Sequence, residues 1–383
     1  MTKNNNFPYT FLQFLIVTVS SLAVALLWGV LADSWELLGD GVHYLRLYNG
    51  QVANSPFGYR ILTPFLASLL PWDALTNFMI VSLTCLSLTT GFIFLYFNKL
   101  NASSNTTFLS SVLLLIFWVT SFPFVYYGTV FIRADAPLFL MIAVTILLSH
   151  YRTSPFILLI LLAVSTLFHE MIMIVLPALW LDKYFAGTLT GGSKYSYKQL
   201  LLISGGTILS YIVTRLTIPT NTSEVLHYLN VQSPMEMINH VLNYSTGFIK
   251  HILRIYASYG PILLYSLAYV LFSRQKRPDS IVFISLLLIT VTATFLATDT
   301  LRVMAIISFP VIVYASQFLI SIWEKEHHVL TIALLLLQVG YTSIVYLHLR
   351  TFESSLEWNI IAASLSIVTL FLCAWEIKRS DTR

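Results

Sequence analysis

Charge is what this sequence has least of. Of its 383 residues only 10% are Asp, Glu, Lys or Arg, against about 25% in soluble domains. A chain this long cannot be given a water-facing surface from that supply. The charges nearly cancel, with 21 Lys and Arg against 17 Asp and Glu, which leaves no basic footprint for nucleic acid. Cysteine is almost absent. Cys85 and Cys373 both sit in apolar runs without metal-ligand spacing, so neither a disulfide scaffold nor a zinc site is indicated. There is no Walker loop, dinucleotide fingerprint, HExxH or GxSxG elbow. No internal repeat or low-complexity tract divides the chain, and no metal or cofactor is expected.

What the sequence has in excess is apolar residues: 57% hydrophobic, 14% aromatic and a mean hydropathy of +0.78. A membrane crossing takes about 20 such residues for a hydrocarbon core of about 30 Å. On that ruler spans are predicted near 9–32, 76–97, 107–128, 136–151, 200–218, 257–273, 281–297, 304–322, 329–349 and 359–376. The first has little charge before it and no small-residue cleavage site after it, which predicts a retained helix rather than a signal peptide. The expected fold is all-α: a polytopic transmembrane bundle of about twelve helices, with short re-entrant or interfacial helices on the extracytoplasmic face. One transmembrane domain is expected over 1–383, with a first extracytoplasmic loop at 33–75, a helical hairpin at 156–185 and an extracytoplasmic interfacial segment at 219–256.

The hairpin follows from sidedness. His169-Glu170 interrupts the apolar run 156–185, which crosses once as a single helix or returns as two short ones. Basic residues collect on the cytoplasmic side of a membrane. Only the hairpin puts Lys99, Arg152, Lys183, Lys194, Lys198, Arg274, Lys276, Arg277, Lys325 and the tail cations on one face with Lys3. That division is 13 cations inside against 8 outside, with both termini cytoplasmic. Seven of the eight outer cations are Arg, Lys250 being the exception. Arg offers a planar fork suited to phosphate and carboxylate, so the outer face is expected to handle anions.

The first outer loop crowds Asp33, Glu36, Asp40 and His43 near its start, and Gly39 and Gly41 bracket Asp40. Residues 41–48 are expected to form a short interfacial helix with Tyr44, Leu45 and Tyr48 toward lipid. Tyr59-Arg60 opens an apolar stretch, 61–70, too short to cross. Three other outer turns repeat this chemistry: Arg133-Ala-Asp135, His169-Glu170 and Asp299-Thr-Leu-Arg302. Each reads individually as a salt bridge about as well as a site. Ionisable groups near hydrocarbon are costly unless paired or used, and four such places on one face predict a shared polar cavity. The segment 219–256 mixes polar residues with apolar ones at helical spacing (Met235, Ile238, Val241, Leu242) and is expected to lie in the interface.

A lipid-linked phosphosugar fits such a cavity. Its phosphate would lie at headgroup level, within reach of Arg60, Arg133, His169 or Arg302, with His43, Tyr59, Asp135, Glu170 and Asp299 in support. A carboxylate would deprotonate an acceptor hydroxyl, and the cations would stabilise charge developing on the leaving phosphate.

The run Asp40-Gly-Val-His43-Tyr44, the following Pro56-Phe57-Gly58-Tyr59-Arg60, and Asp299-Thr-Leu-Arg302 with Phe309-Pro310 behind it resemble loops of uncharacterised bacterial members of the GT-C superfamily. These are integral membrane glycosyltransferases that use polyprenyl-phosphate sugars. Motif-level similarity covers only these stretches; the rest is similarity of architecture. The resemblance implies an inverting hexosyl-type transfer with a first-loop acid as base, which by position is Asp40, with Asp33 or Glu36 as substitutes. It also implies a polyprenyl-phosphate-linked sugar donor, a lipid or glycan acceptor and a bacterial inner-membrane location, among membrane lipids. A literal Asp-x-Asp, seen in some members, is missing. The competing expectations are a polysaccharide polymerase or ligase on lipid-linked glycans, and a transporter or flippase.

Overall fold

In a computed structural model the described residues are 7–32, 41–54, 57–100, 107–129, 135–220, 234–244, 247–272, 277–295, 300–348, 359–368 and 371. Among them the fold is all-α, without strands. Four helices are long and apolar enough to cross a membrane: Thr10–Val30, Ala74–Lys99, Tyr197–Thr217 and His328–Val345. Six shorter apolar helices accompany them: Asp135–His150, Pro155–Ser165, Pro261–Leu271, Pro278–Thr294, Ser308–Trp323 and Asn359–Val368.

The chain forms two compact units, Met1–Tyr96 with Tyr126–Gln232, and Phe97–Val125 with Ser233–Arg383. In the second, the helix Ser308–Trp323 is buried on every side except at Ser321 and Trp323. An all-round apolar helix belongs at the centre of a bundle, and this one packs against Pro261–Phe272 and Thr107–Val119. Tyrosine hydroxyls lock the packing: Tyr259 donates to the Met304 carbonyl at 2.5 Å, and Tyr265 to that of Leu334 at 3.0 Å.

The predicted span 107–128 is not one helix. It breaks at Thr120-Ser121 into Thr107–Val119 and Phe122–Thr129, because Pro123 has no N–H for the carbonyl four residues earlier. At the break, the carbonyl of the buried Thr120 accepts hydrogen bonds from Gln338 Nε2 at 3.2 Å and Thr342 Oγ1 at 2.8 Å. Pro261 starts the helix Pro261–Phe272, which lies within the expected span 257–273, and Phe248–Ala257 precedes it as a separate amphipathic element.

In the first unit, Phe7–Ala32 and Tyr197–Thr217 expose long apolar stripes, among them Phe11, Val19, Val30, Leu209 and Leu216. Segment 155–185 is two short helices, Pro155–Ser165 and Val175–Phe185, joined by a 3-10 turn at Glu170–Ile174. Their ends away from the bend meet one loop. Tyr195 donates to the Thr153 carbonyl ahead of the first helix, while Thr190 bonds Asp182 near the end of the second. The segment therefore returns to where it began.

Candidate functional site

The opposite end of that hairpin carries the ionisable residues. The chain first tightens at Phe57–Tyr59, a 3-10 turn in which the Gly58 N–H donates to the Asn54 carbonyl at 2.8 Å. A side chain at Gly58 would meet Thr220 Cγ2 at 2.5 Å and the Ala53 carbonyl at 2.8 Å, so only glycine fits there. This turn aims Tyr59 and Arg60 at the hairpin bend. The Leu62 N–H then ties to the Leu167 carbonyl at 3.2 Å, which fixes the first loop against the bend.

Arg60 is 5% exposed and engaged along its whole edge. Its Nε donates to Glu170 Oε2 at 3.0 Å, its Nη2 to Glu170 Oε1 at 2.6 Å and its Nη1 to the Tyr44 hydroxyl at 3.0 Å. Such a fork pair is the strongest kind of charge-assisted bond. The guanidinium also lies 5.3 Å from the Phe57 ring, whose other contacts include a parallel stack with His43 at 4.6 Å. Burial opposes ionisation of Glu170, but the Arg60 charge outweighs it and holds the carboxyl well below the usual range.

Glu170 has a second cation. Arg215 Nη2 stands 3.7 Å from Oε2, with side-chain exposures of 21% and 24%. The Arg215 guanidinium carbon lies over the Tyr59 ring at 3.9 Å and over Tyr211 at 5.0 Å, close cation–π distances. Its Nε has no hydrogen-bond partner among the described residues. Arg60 already occupies both oxygens of Glu170, so Arg215 is the less neutralised of the two cations.

Behind Glu170 lies a buried acid–imidazole pair. His169 Nδ1 accepts from the Met171 N–H at 3.2 Å, which caps the 3-10 turn. The proton of the neutral ring is thereby assigned to Nε2, which faces Asp135 Oδ1 at 3.8 Å. Both residues are about 2% exposed, and Asp135 opens the helix Asp135–His150.

Of the residues singled out from sequence, the structure gathers His43, Tyr59, Arg60, Asp135, His169 and Glu170 in the first unit. Arg302 lies in the second, on the short helix Thr300–Ala305. Asp33, Glu36, Asp40, Arg133 and Asp299 lie outside the described residues. Tyr44 corrects an expectation: it is fully buried and bonds Arg60 instead of facing lipid. Sequence alone places Arg215 among the eight outer cations without distinguishing it, and gives Tyr211 no role. A tyrosine one turn before an arginine, at i and i+4, was the available signal. Among the described residues no group of three or more His, Cys, Asp or Glu forms a metal site.

The chain matches no protein-family model, no curated protein and no solved structure.

Proposed function

We propose that this chain is a multi-pass membrane glycosyltransferase that moves a sugar from a polyprenyl-phosphate donor to a lipid or glycan acceptor at the extracytoplasmic face. In this reading the four long and six shorter apolar helices belong to a bundle of about twelve, with both termini cytoplasmic. The observation that carries it is Arg215: a cation held on an aromatic shelf beside Glu170, with donor capacity left over, on a helix whose other side is apolar and exposed. A lipid-borne phosphate reaches such a group from the headgroup level while its polyprenyl tail stays in hydrocarbon against the helix.

The residues divide the work accordingly. Arg215 takes the phosphate, while His169, expected to share that task, is buried with Nδ1 bonded to Met171 and Nε2 toward Asp135 and supports the bend from behind. Arg60 is the brace that fixes Glu170 and the loop carrying Tyr59. Arg133 and Arg302 are further phosphate candidates. Asp40 is the base, with Asp33 and Glu36 as substitutes. The acceptor oxygen forms a bond to the anomeric carbon as the carbon–oxygen bond to phosphate breaks. The acceptor proton passes to the carboxylate and polyprenyl phosphate leaves, so the anomeric configuration inverts. Cations around the departing phosphate favour that step.

The buried Asp135–His169 pair favours a second reading, a proton-coupled carrier, since such pairs mark proton paths in membrane proteins. One experiment separates them. The purified protein in detergent is offered a panel of polyprenyl-phosphate sugars, and thermal stabilisation and slow donor hydrolysis are followed with Asp40→Asn alongside. Stabilisation by one donor, with hydrolysis lost in the variant, supports the transferase. Indifference to every lipid-linked sugar moves the weight to the carrier.

A further inference from the structure

The far end of the hairpin carries a second assembly of charge. Arg152 follows the helix Asp135–His150, Lys183 lies near the end of Val175–Phe185, Lys194 is in the intervening loop and Lys198 is in the first turn of Tyr197–Thr217. These cations are stitched together by backbone carbonyls. The Lys194 ammonium donates to the His150 carbonyl, two residues from Arg152. The Lys183 ammonium donates to the Ser193 carbonyl at 3.3 Å and stands 5.4 Å from the Tyr197 ring, beside Lys198. The four therefore form one continuous strip.

Two glycines make the strip possible. Any side chain at Gly191 would meet the His150 amide nitrogen at 2.8 Å, and one at Gly192 would fall on the Leu179 carbonyl. The loop thus lies directly on the C-terminal end of the helix Asp135–His150, whose carbonyls attract cations, and along the flank of Val175–Phe185. The nearby acid, Asp182, is fully buried and its Oδ2 accepts from both the Thr190 N–H and hydroxyl. No carboxylate lies within ion-pair distance of Arg152, Lys183 or Lys198 among the described residues. Tyr151, Tyr184 and Tyr197 stand exposed around the strip, an arrangement suited to the headgroup level of a bilayer.

We infer that the strip Arg152–Lys194–Lys183–Lys198 is a binding site for the phosphate headgroups of anionic phospholipids. The four positive charges match that ligand, and the tyrosines match the depth at which it lies. A site assembled from three helix ends and a clamped loop recognises lipid more sharply than single cations scattered along a loop. The site needs the membrane placement proposed above and is independent of the transfer chemistry.

The test uses the full chain in neutral detergent. Phosphatidylglycerol or phosphatidylcholine is added, bound lipid is counted by native mass spectrometry, and the thermal midpoint is followed. The wild type should retain phosphatidylglycerol preferentially and be stabilised by it. Each surface cation is worth about fivefold toward anionic lipid, so Lys183→Gln with Lys198→Gln should cut the preference roughly twentyfold. Lys183→Arg with Lys198→Arg should restore it, which separates lost charge from misfolding. Equal retention of the two lipids, or an undiminished preference in the double Gln variant, overturns the site. So does an equal shift of the midpoint by millimolar inorganic phosphate, which would make the ligand a free anion. Donor hydrolysis should be unchanged in these variants, so failure here leaves the transferase reading standing.

Discussion

Arg60 and Glu170, 110 positions apart, are joined by two parallel hydrogen bonds of 3.0 and 2.6 Å. That fork holds the first loop to the bend of the hairpin and leaves Arg215 as the second, less satisfied partner of the same carboxylate.

Glu170→Gln would strand the buried Arg60 guanidinium without its counter-charge. Removing one member of a buried pair costs about 3–5 kcal/mol, with the lower end expected here because Glu170 is 24% exposed. Thermal melting in detergent should show a clear drop in midpoint. A midpoint within a degree of wild type would mean that the fork is not a structural brace.

Arg215→Lys keeps the charge but loses the guanidinium's cation–π contact over Tyr59 and the second donor edge. If Arg215 takes the donor phosphate, lipid-linked sugar should bind about tenfold more weakly, on the basis that each hydrogen bond to a charged group is worth about 1.5 kcal/mol. Stability should change little. Donor binding equal to wild type would reduce Arg215 to a packing role.

The His251 ring is buried against Thr294 Oγ1 at 3.0 Å and Thr300 Oγ1 at 3.5 Å, with Phe295 at 4.4 Å. Burial first, and then the Arg254 charge, push its pKa below 6.5. The unfolded chain then binds the proton more readily than the folded one. The stability this gives is present above about pH 6.5 and is lost as pH falls through the depressed folded value. The thermal midpoint should decline on going from pH 7 to pH 5, and His251→Gln should flatten that limb. An acid limb as steep in the variant would assign it to other groups.

Gly192→Ala would drive a methyl group into the Leu179 backbone, which cannot move aside like a side-chain tip. Overpacking of this kind costs about 1–3 kcal/mol, and limited proteolysis should cut the 186–196 loop faster. Gly205 has nothing within 4 Å of a built side chain, so Gly205→Ala is the matched control and should be neutral or slightly stabilising.

The sequence by itself determined that the chain is helical and apolar enough for membrane crossing. It also marked Arg60, Asp135, His169 and Glu170 as unusual, because an ionisable residue at the end of an apolar run is conspicuous in one dimension. It did not reveal that Tyr44 turns inward, since a tyrosine on a short amphipathic helix reads the same whether it meets lipid or a buried arginine. Nor did it separate Arg215 from the other outer cations, because what distinguishes it is a neighbour 156 positions away, Tyr59. The break at Thr120 was written in Pro123, yet the groups that bond the Thr120 carbonyl there, Gln338 and Thr342, lie more than two hundred residues on. Composition and periodicity are local properties and fix what each helix is made of. Which charge faces which is decided only when the chain closes on itself, because a buried charge must find its partner wherever the fold brings one.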